Sequence, residues 1–150
     1  MNLAITFAYN ELKYIPIWAE YYKKQGCKLY VIDNMSNDGT FEWLVKNGID
    51  CHRFDTNDSF HLTKLQEAAE KTLKKINPEW VIYCGIDLYH ITNIGLKNTI
   101  DYCNKNGYNQ ICLPCWGALH TGENDLIPLH KHFFRMAYWK DLIMISKYDE

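Results

Sequence analysis

The chain has 150 residues, a length that fits one domain able to bury roughly 70% of the surface its unfolded form exposes. A net charge of -2 supplies no basic field for a polyphosphate backbone, which removes the main driving term for general nucleic-acid binding. No apolar run approaches the ~20 residues that span a bilayer, and Met1-Asn2-Leu3-Ala4 is not a basic segment leading into a signal-peptide core, so a cytoplasmic protein without a membrane span is expected.

Leu3 to Ala8 is apolar but for Thr6 and ends at Tyr9-Asn10, the pattern of a strand buried on both faces. Pro16 sets the next boundary, because a proline deep inside a helix costs about 3 kcal/mol. It is therefore expected in the first turn of a helix running to Gln25, after an entry turn from Glu11 to Ile15. Ile17, Trp18, Tyr21 and Tyr22 are predicted to share the buried stripe of that helix, and Gly26 to stop it. Lys28 to Ile32 reads as a second buried strand, which completes a right-handed βαβ unit.

Asp33 to Gly39 is a polar turn in which Asp38 or Thr40 can cap a helix through Leu44 and Val45. Cys51-His52-Arg53-Phe54 reads as a third strand. Leu62, Leu65, Ala68, Ala69, Leu73 and Ile76 keep a helical period that Asn77-Pro78 ends. Trp80 to Cys84 is the next strand, with Gly85-Ile86-Asp87 as its polar exit. Ile94 to Asn106 is predicted helical, Gln110 to Leu113 a strand stopped by Pro114, and Leu142 to Ile145 strand-like; from Gly117 onward no other clean period is visible. Alternating strands and helices without repeats imply an α/β fold, a mostly parallel sheet flanked by helices.

Open sheets of this kind bind ligands at the carboxyl ends of their strands. Tyr9-Asn10 and Asp33 end two adjacent strands there: an aromatic ring can stack on a pyrimidine, and a carboxylate can accept from a base N–H. Asp87 ends a third, where a hard divalent cation neutralising a pyrophosphate would want carboxylate oxygens. Each of these residues also suits a plainer role, a packed ring for Tyr9 and an ordinary turn for Asp33 and Asp87. Lys64, at the start of its helix, can approach phosphate or sit on a solvated face.

The six cysteines lie in or beside apolar runs and are expected to be reduced and mostly buried. Cys112-Leu113-Pro114-Cys115 is also compatible with a thiol redox pair, or with zinc held by Cys112, Cys115 and two of His120, His130 and His132. The first would need a helix at its N-terminal cysteine, and the second lacks a regular finger spacing.

Taken in order, Phe7-Ala8-Tyr9-Asn10-Glu11, Pro16-x-Trp18-x-x-Tyr21, Val31-Ile32-Asp33-Asn34-x-Ser36-x-Asp38-Gly39-Thr40 and Trp80-Val81-Ile82-x-x-Gly85-x-Asp87 resemble the opening of a family 2 type glycosyltransferase of the Rossmann-like GT-A fold. The resemblance implies a nucleoside diphosphate sugar as donor, with Phe7 and Tyr9 flanking the base and Asp33 hydrogen-bonding it. It further implies Asp87 as ligand of Mg²⁺ or Mn²⁺, and transfer with inversion to the hydroxyl of a carbohydrate or other acceptor. Where the family has Asp-x-Asp followed by Glu or Asp, this chain has Gly85-Ile86-Asp87-Leu88. The general base that such a reaction needs has Glu123 and Asp125 as candidates. Residues 1–150 are expected to form one nucleotide-sugar-binding domain with an incomplete acceptor-binding half; the alternative is a catalytically inactive binding module on the same fold.

Overall fold

The computed structural model describes residues 1–57, 61–114, 116–118, 133–135 and 142–147. The elements run β1 (Asn2–Ala8), α1 (Ile15–Lys24), β2 (Lys28–Asp33), α2 (Thr40–Lys46), β3 (Asp50–Arg53), α3 (Leu62–Ile76), β4 (Trp80–Tyr83), α4 (Leu96–Lys105), β5 (Gln110–Pro114), β6 (Trp116–Ala118), β7 (Phe133–Arg135) and β8 (Leu142–Lys147). Six strands form one sheet in the order β3-β2-β1-β4-β8-β5, and β6 pairs with β7 apart from it. The four strands β3, β2, β1 and β4 are parallel, while β8 enters antiparallel between β4 and β5. The result is the Rossmann-like α/β fold expected from the alternation of elements.

Both faces of the sheet are covered, which is why its central strands are apolar throughout. Ala4, Ala8, Val31, Trp80 and Ile82 face Trp18, Tyr22, Leu44, Leu96 and Ile100, the packing sides of α1, α2 and α4. Leu3, Ile5, Ile32 and Val81 face Leu65, Ala68, Ala69 and Leu73 of α3. In β1 the alternation of Leu3 and Ile5 with Ala4 and Ala8 puts bulk against the single helix α3 and small side chains against the tryptophan-bearing α1.

Pro16 occupies the first turn of α1, as its missing N–H and fixed φ require. The stripe of α1 is rotated from the expected one: Ile15, Trp18, Ala19 and Tyr22 are buried, while Ile17 is 57% exposed. The four buried positions follow the same i, i+3, i+4 rule, with the small Ala19 allowing close approach to the sheet. Gly26, at φ 79°, turns the chain out of α1 towards β2 in the left-handed conformation that glycine tolerates. Cys27, Cys84 and Cys103 are buried free thiols, Cys51 is half-buried, and Cys112 is exposed.

Candidate functional site

The register places Ala8, Asp33 and Arg53 in one row across the carboxyl ends of β1, β2 and β3. Beyond that row, the loops after β1 and β2 are stapled together by side chains acting on backbone N–H groups. Asn10 N–H donates to Ser36 Oγ at 2.9 Å, Glu11 N–H to Thr40 Oγ1 at 2.9 Å, and Leu12 N–H to Asp38 Oδ2 at 3.0 Å. In return Asn37 N–H donates to Asn10 Oδ1 at 2.9 Å. The N-cap of α2 is Gly39, at φ 96°, rather than the expected Asp38 or Thr40, and Asp38 just before it accepts the Thr40 N–H at 2.9 Å. The Ser, Asp and Thr of the second-strand motif thus fix loop shape, the local work for which short polar side chains are suited.

Asp33 is different. Its side chain is 0% exposed; Oδ2 accepts the Ser36 N–H at 3.0 Å and lies 3.8 Å from Arg53 Nε, while Oδ1 is buried with no hydrogen-bond partner among the described residues. A buried carboxylate oxygen left without a donor is costly, so it is a place where a ligand N–H would be welcomed. Arg53 is itself held by Glu42 Oε1 at 2.9 Å and stacks over Phe41 at 4.5 Å, which keeps its charge beside Asp33.

One strand further along the same edge, β1 and β4 open into a cleft of about 580 Å³ lined by Phe7, Glu11, Tyr14, Leu62, Tyr83 and Asp87, among others. Phe7 and Tyr83 meet edge to face at 5.4 Å and pack towards α3, and the Tyr83 hydroxyl is buried without a partner among the described residues. Partial burial holds the Glu11 carboxyl above its ordinary 4.5, with the charge of Asp87 and then that of Asp38 adding to the effect. Among the described residues no lysine or arginine lines the cleft, so a compensating cation would favour the entry of a diphosphate.

The donors fit such a cation in kind: two carboxylates are hard oxygen ligands, suited to Mg²⁺ or Mn²⁺ that keep waters or phosphate oxygens in their remaining positions. They do not form a complete protein cage, since no group of three or more His, Cys, Asp or Glu side chains converges among the described residues. A Cβ on Gly85 would lie 2.7 Å from Asp87 Oδ1, so the Asp87 carboxylate itself fills the space that a side chain at 85 would take. Glu11→Gln removes a charge held against Asp87 in a partly buried position. It is expected to raise stability slightly, by less than about 1 kcal/mol as read from the urea midpoint, because the repulsion from Asp87 is relieved.

The loop carrying Asp87 is tied to α1. Tyr22 Oη donates to the Leu88 carbonyl at 3.0 Å and meets His90 Nδ1 at 2.7 Å, and Tyr21 Oη donates to the His90 carbonyl at 2.6 Å. Tyr22 has one proton for two acceptors, the Leu88 carbonyl and His90 Nδ1, and His90 Nε2 is buried with no hydrogen-bond partner among the described residues. Burial pushes the His90 ring from its ordinary 6.5 down to about 4.

The structure therefore brings Phe7 and Asp87 into one cleft and sets Asp33 on the same sheet edge, two strands from β4. Tyr9 is 57% exposed outside the cleft lining, Asn10 serves the loop staple, and Lys64 is exposed in the first turn of α3, whose Leu62 reaches the cleft. Glu123 and Asp125 lie outside the described residues, as do Cys115, His120, His130 and His132. Sequence reasoning gave no role to Glu11, Tyr83, Tyr22 or His90. The proximity of Glu11 to Asp87 follows from β1 pairing with β4, a neighbourhood that no local pattern announces.

No family matches the chain, and no curated protein matches it in sequence. Among solved structures, the 1–349 fragment of S. aureus TarS is similar, with a TM-score of 0.63 and 19% identity over 83% of this chain and 38% of that one. The longer TarS structure gives 0.63 and 20% over 83% and 23%, and the 1–349 fragment in complex with UDP-GlcNAc gives 0.61 and 20% over 83% and 37%. At these identities the likeness shows a shared fold, and this chain spans between 23% and 38% of the length of those structures.

Proposed function

We propose that this chain binds a nucleoside diphosphate sugar along the carboxyl edge of its parallel sheet, as the donor site of a glycosyltransferase. The observation that carries the reading is the buried, unpartnered Oδ1 of Asp33 on the same edge as the Asp87 cleft. It is supported by the shared fold of TarS, whose structures include complexes with UDP-GlcNAc and with UDP.

In this reading Asp33 accepts the N–H of the base, Phe7 and Tyr9 supply aromatic faces beside it, and Asn10 holds the loop that shapes the pocket. Lys64 approaches the phosphates from the start of α3. Asp87, with Glu11 beside it, would hold Mg²⁺ or Mn²⁺, which when bound offsets the charge of the diphosphate as leaving group. An acceptor hydroxyl of a carbohydrate or similar molecule attacks the anomeric carbon with inversion, its proton taken by Glu123 or Asp125.

Titration of the protein with UDP and with GDP, each with and without Mn²⁺, tests the reading. UDP is expected to bind, more tightly with Mn²⁺, and Asp87→Asn is expected to remove that gain while sparing the metal-free binding. A folded sample that binds neither nucleotide would sink the donor-site assignment. Gly85 in place of an acidic residue favours a second reading, a non-catalytic binding module; UDP-sugar turnover that disappears in Asp87→Asn would argue against it.

A further inference from the structure

We propose that the adjacent tyrosines Tyr21 and Tyr22 of α1, together with His90, are positioning residues that set the Asp87 loop in the cleft. The inference rests on the reading of Asp87 as cation ligand, and its structural part stands without it.

Gly85 to His90 leaves β4 with little regular structure of its own; within it Leu88 N–H closes a turn on the Gly85 carbonyl at 3.1 Å, with Asp87 at the turn. What fixes this segment is α1, more than sixty residues earlier in the chain. Tyr22 Oη alone makes three contacts with it: the Leu88 carbonyl at 3.0 Å, His90 Nδ1 at 2.7 Å and the His90 N–H at 3.3 Å. Tyr21 Oη adds the His90 carbonyl at 2.6 Å, and the Tyr21 ring meets the Tyr89 ring edge to face at 5.1 Å. Backbone groups of a loop are normally satisfied by water or by their own turn. Here two side-chain hydroxyls do that work, and both belong to a helix locked into the core by Trp18 and Tyr22, each 0% exposed.

His90 completes the clamp from the loop side. It is 1% exposed, and its ring stands against Tyr22 at a centroid distance of 6.0 Å. Buried in this way, it anchors the loop against α1. Asp87, inside the turn at Gly85–Leu88 and followed by the anchored His90, is thereby held in the cleft that Glu11 also lines. Precise placement of a ligating carboxylate is the usual role of such supporting groups, whose loss costs metal affinity.

Tyr22→Phe and Tyr21→Phe keep the rings that fill the core and remove only the hydroxyls. In Tyr22→Phe, hydrogen exchange at the amides of residues 85–90 is expected to rise about tenfold while β1 and β2 keep their protection. Mn²⁺ affinity, read by paramagnetic resonance, is expected to fall about tenfold, with metal-free UDP binding unchanged. Tyr21→Phe should give a smaller change of the same kind. Unchanged exchange at 85–90 in both variants overturns the proposal, as does a rise spread equally through β1 and β2, or faster loop exchange with Mn²⁺ affinity unaltered. If the unmodified chain binds no Mn²⁺, the cation reading of Asp87 fails; the exchange arm then decides the positioning role alone, a rise confined to 85–90 supporting it and any other pattern overturning it.

Discussion

Stability is expected to fall by on the order of 3 kcal/mol as the pH drops from 6.5 to 4, through the single ring of His90. The ring is 1% exposed, and burial lowers its affinity for a proton from an ordinary value of 6.5 to about 4. Between those values the unfolded chain binds the proton and the folded chain does not, so stability rises with pH across this window and is lost on descent through it. The groups facing His90 do not blur the effect, since the Tyr22 and Tyr21 hydroxyls are pushed up from their ordinary 10 by burial and the Cys84 thiol up to about 11. Elsewhere, His52 is lowered by burial and by Lys75 and adds a smaller loss of the same sign. Glu11, raised, works in the opposite direction, because the folded state then holds its proton more tightly. Urea denaturation of the native chain and of His90→Gln at a series of pH values isolates the term. The native curve should steepen between 6.5 and 4 and the variant should flatten; parallel curves would mean that His90 is reached by water and titrates freely.

Several elements of this fold could be read from local chemistry because their signals are local. α3 begins and ends where its period and Asn77-Pro78 place it, and α1 takes Pro16 into its first turn. The rotation of α1 could not be read in the same way, since two overlapping stripes, one with Ile17 and Tyr21 and one with Ile15 and Ala19, both satisfy a helical period. Only contact with the sheet chooses between them. The antiparallel entry of β8 is likewise non-local: Leu142-Ile143-Met144-Ile145 is apolar on both faces and carries no mark of direction.

The candidate site divides along the same line. That Asp33 and Asp87 share one edge could be read in the sequence because strand ends of a parallel sheet converge there, whereas Phe7 entered only through the resemblance. The rest of the second-strand motif reads as recognition chemistry in sequence, yet Ser36, Asp38 and Thr40 spend their oxygens on the neighbouring loop. Glu11 and His90 were invisible for a physical reason. Each matters through a partner brought near by strand order or by helix packing, and a lone glutamate or histidine in a loop has no spacing that reveals it.

Asp33→Asn is expected to weaken UDP binding by between tenfold and about a hundredfold, a loss of roughly 1.5 to 3 kcal/mol for a hydrogen bond to a charged acceptor. The substitution is close to isosteric, so the amide can keep its oxygen on the Ser36 N–H, the bond that Oδ2 now accepts at 3.0 Å. The amide nitrogen then takes the place of Oδ1, and a free acceptor becomes a donor pointed at the donor of the base, which sets the effect towards the larger figure. Folding should suffer less. Arg53 loses a partner at 3.8 Å but keeps Glu42 at 2.9 Å and the Phe41 ring, so a stability loss of about 1 kcal/mol is expected. Calorimetric titration with UDP and with pyrophosphate plus Mn²⁺ separates base recognition from collapse of the site, because pyrophosphate binding near Asp87 should be unaffected. UDP affinity equal to that of the native chain would remove Asp33 from the base, whereas equal losses for UDP and pyrophosphate would assign it to holding the edge of the sheet.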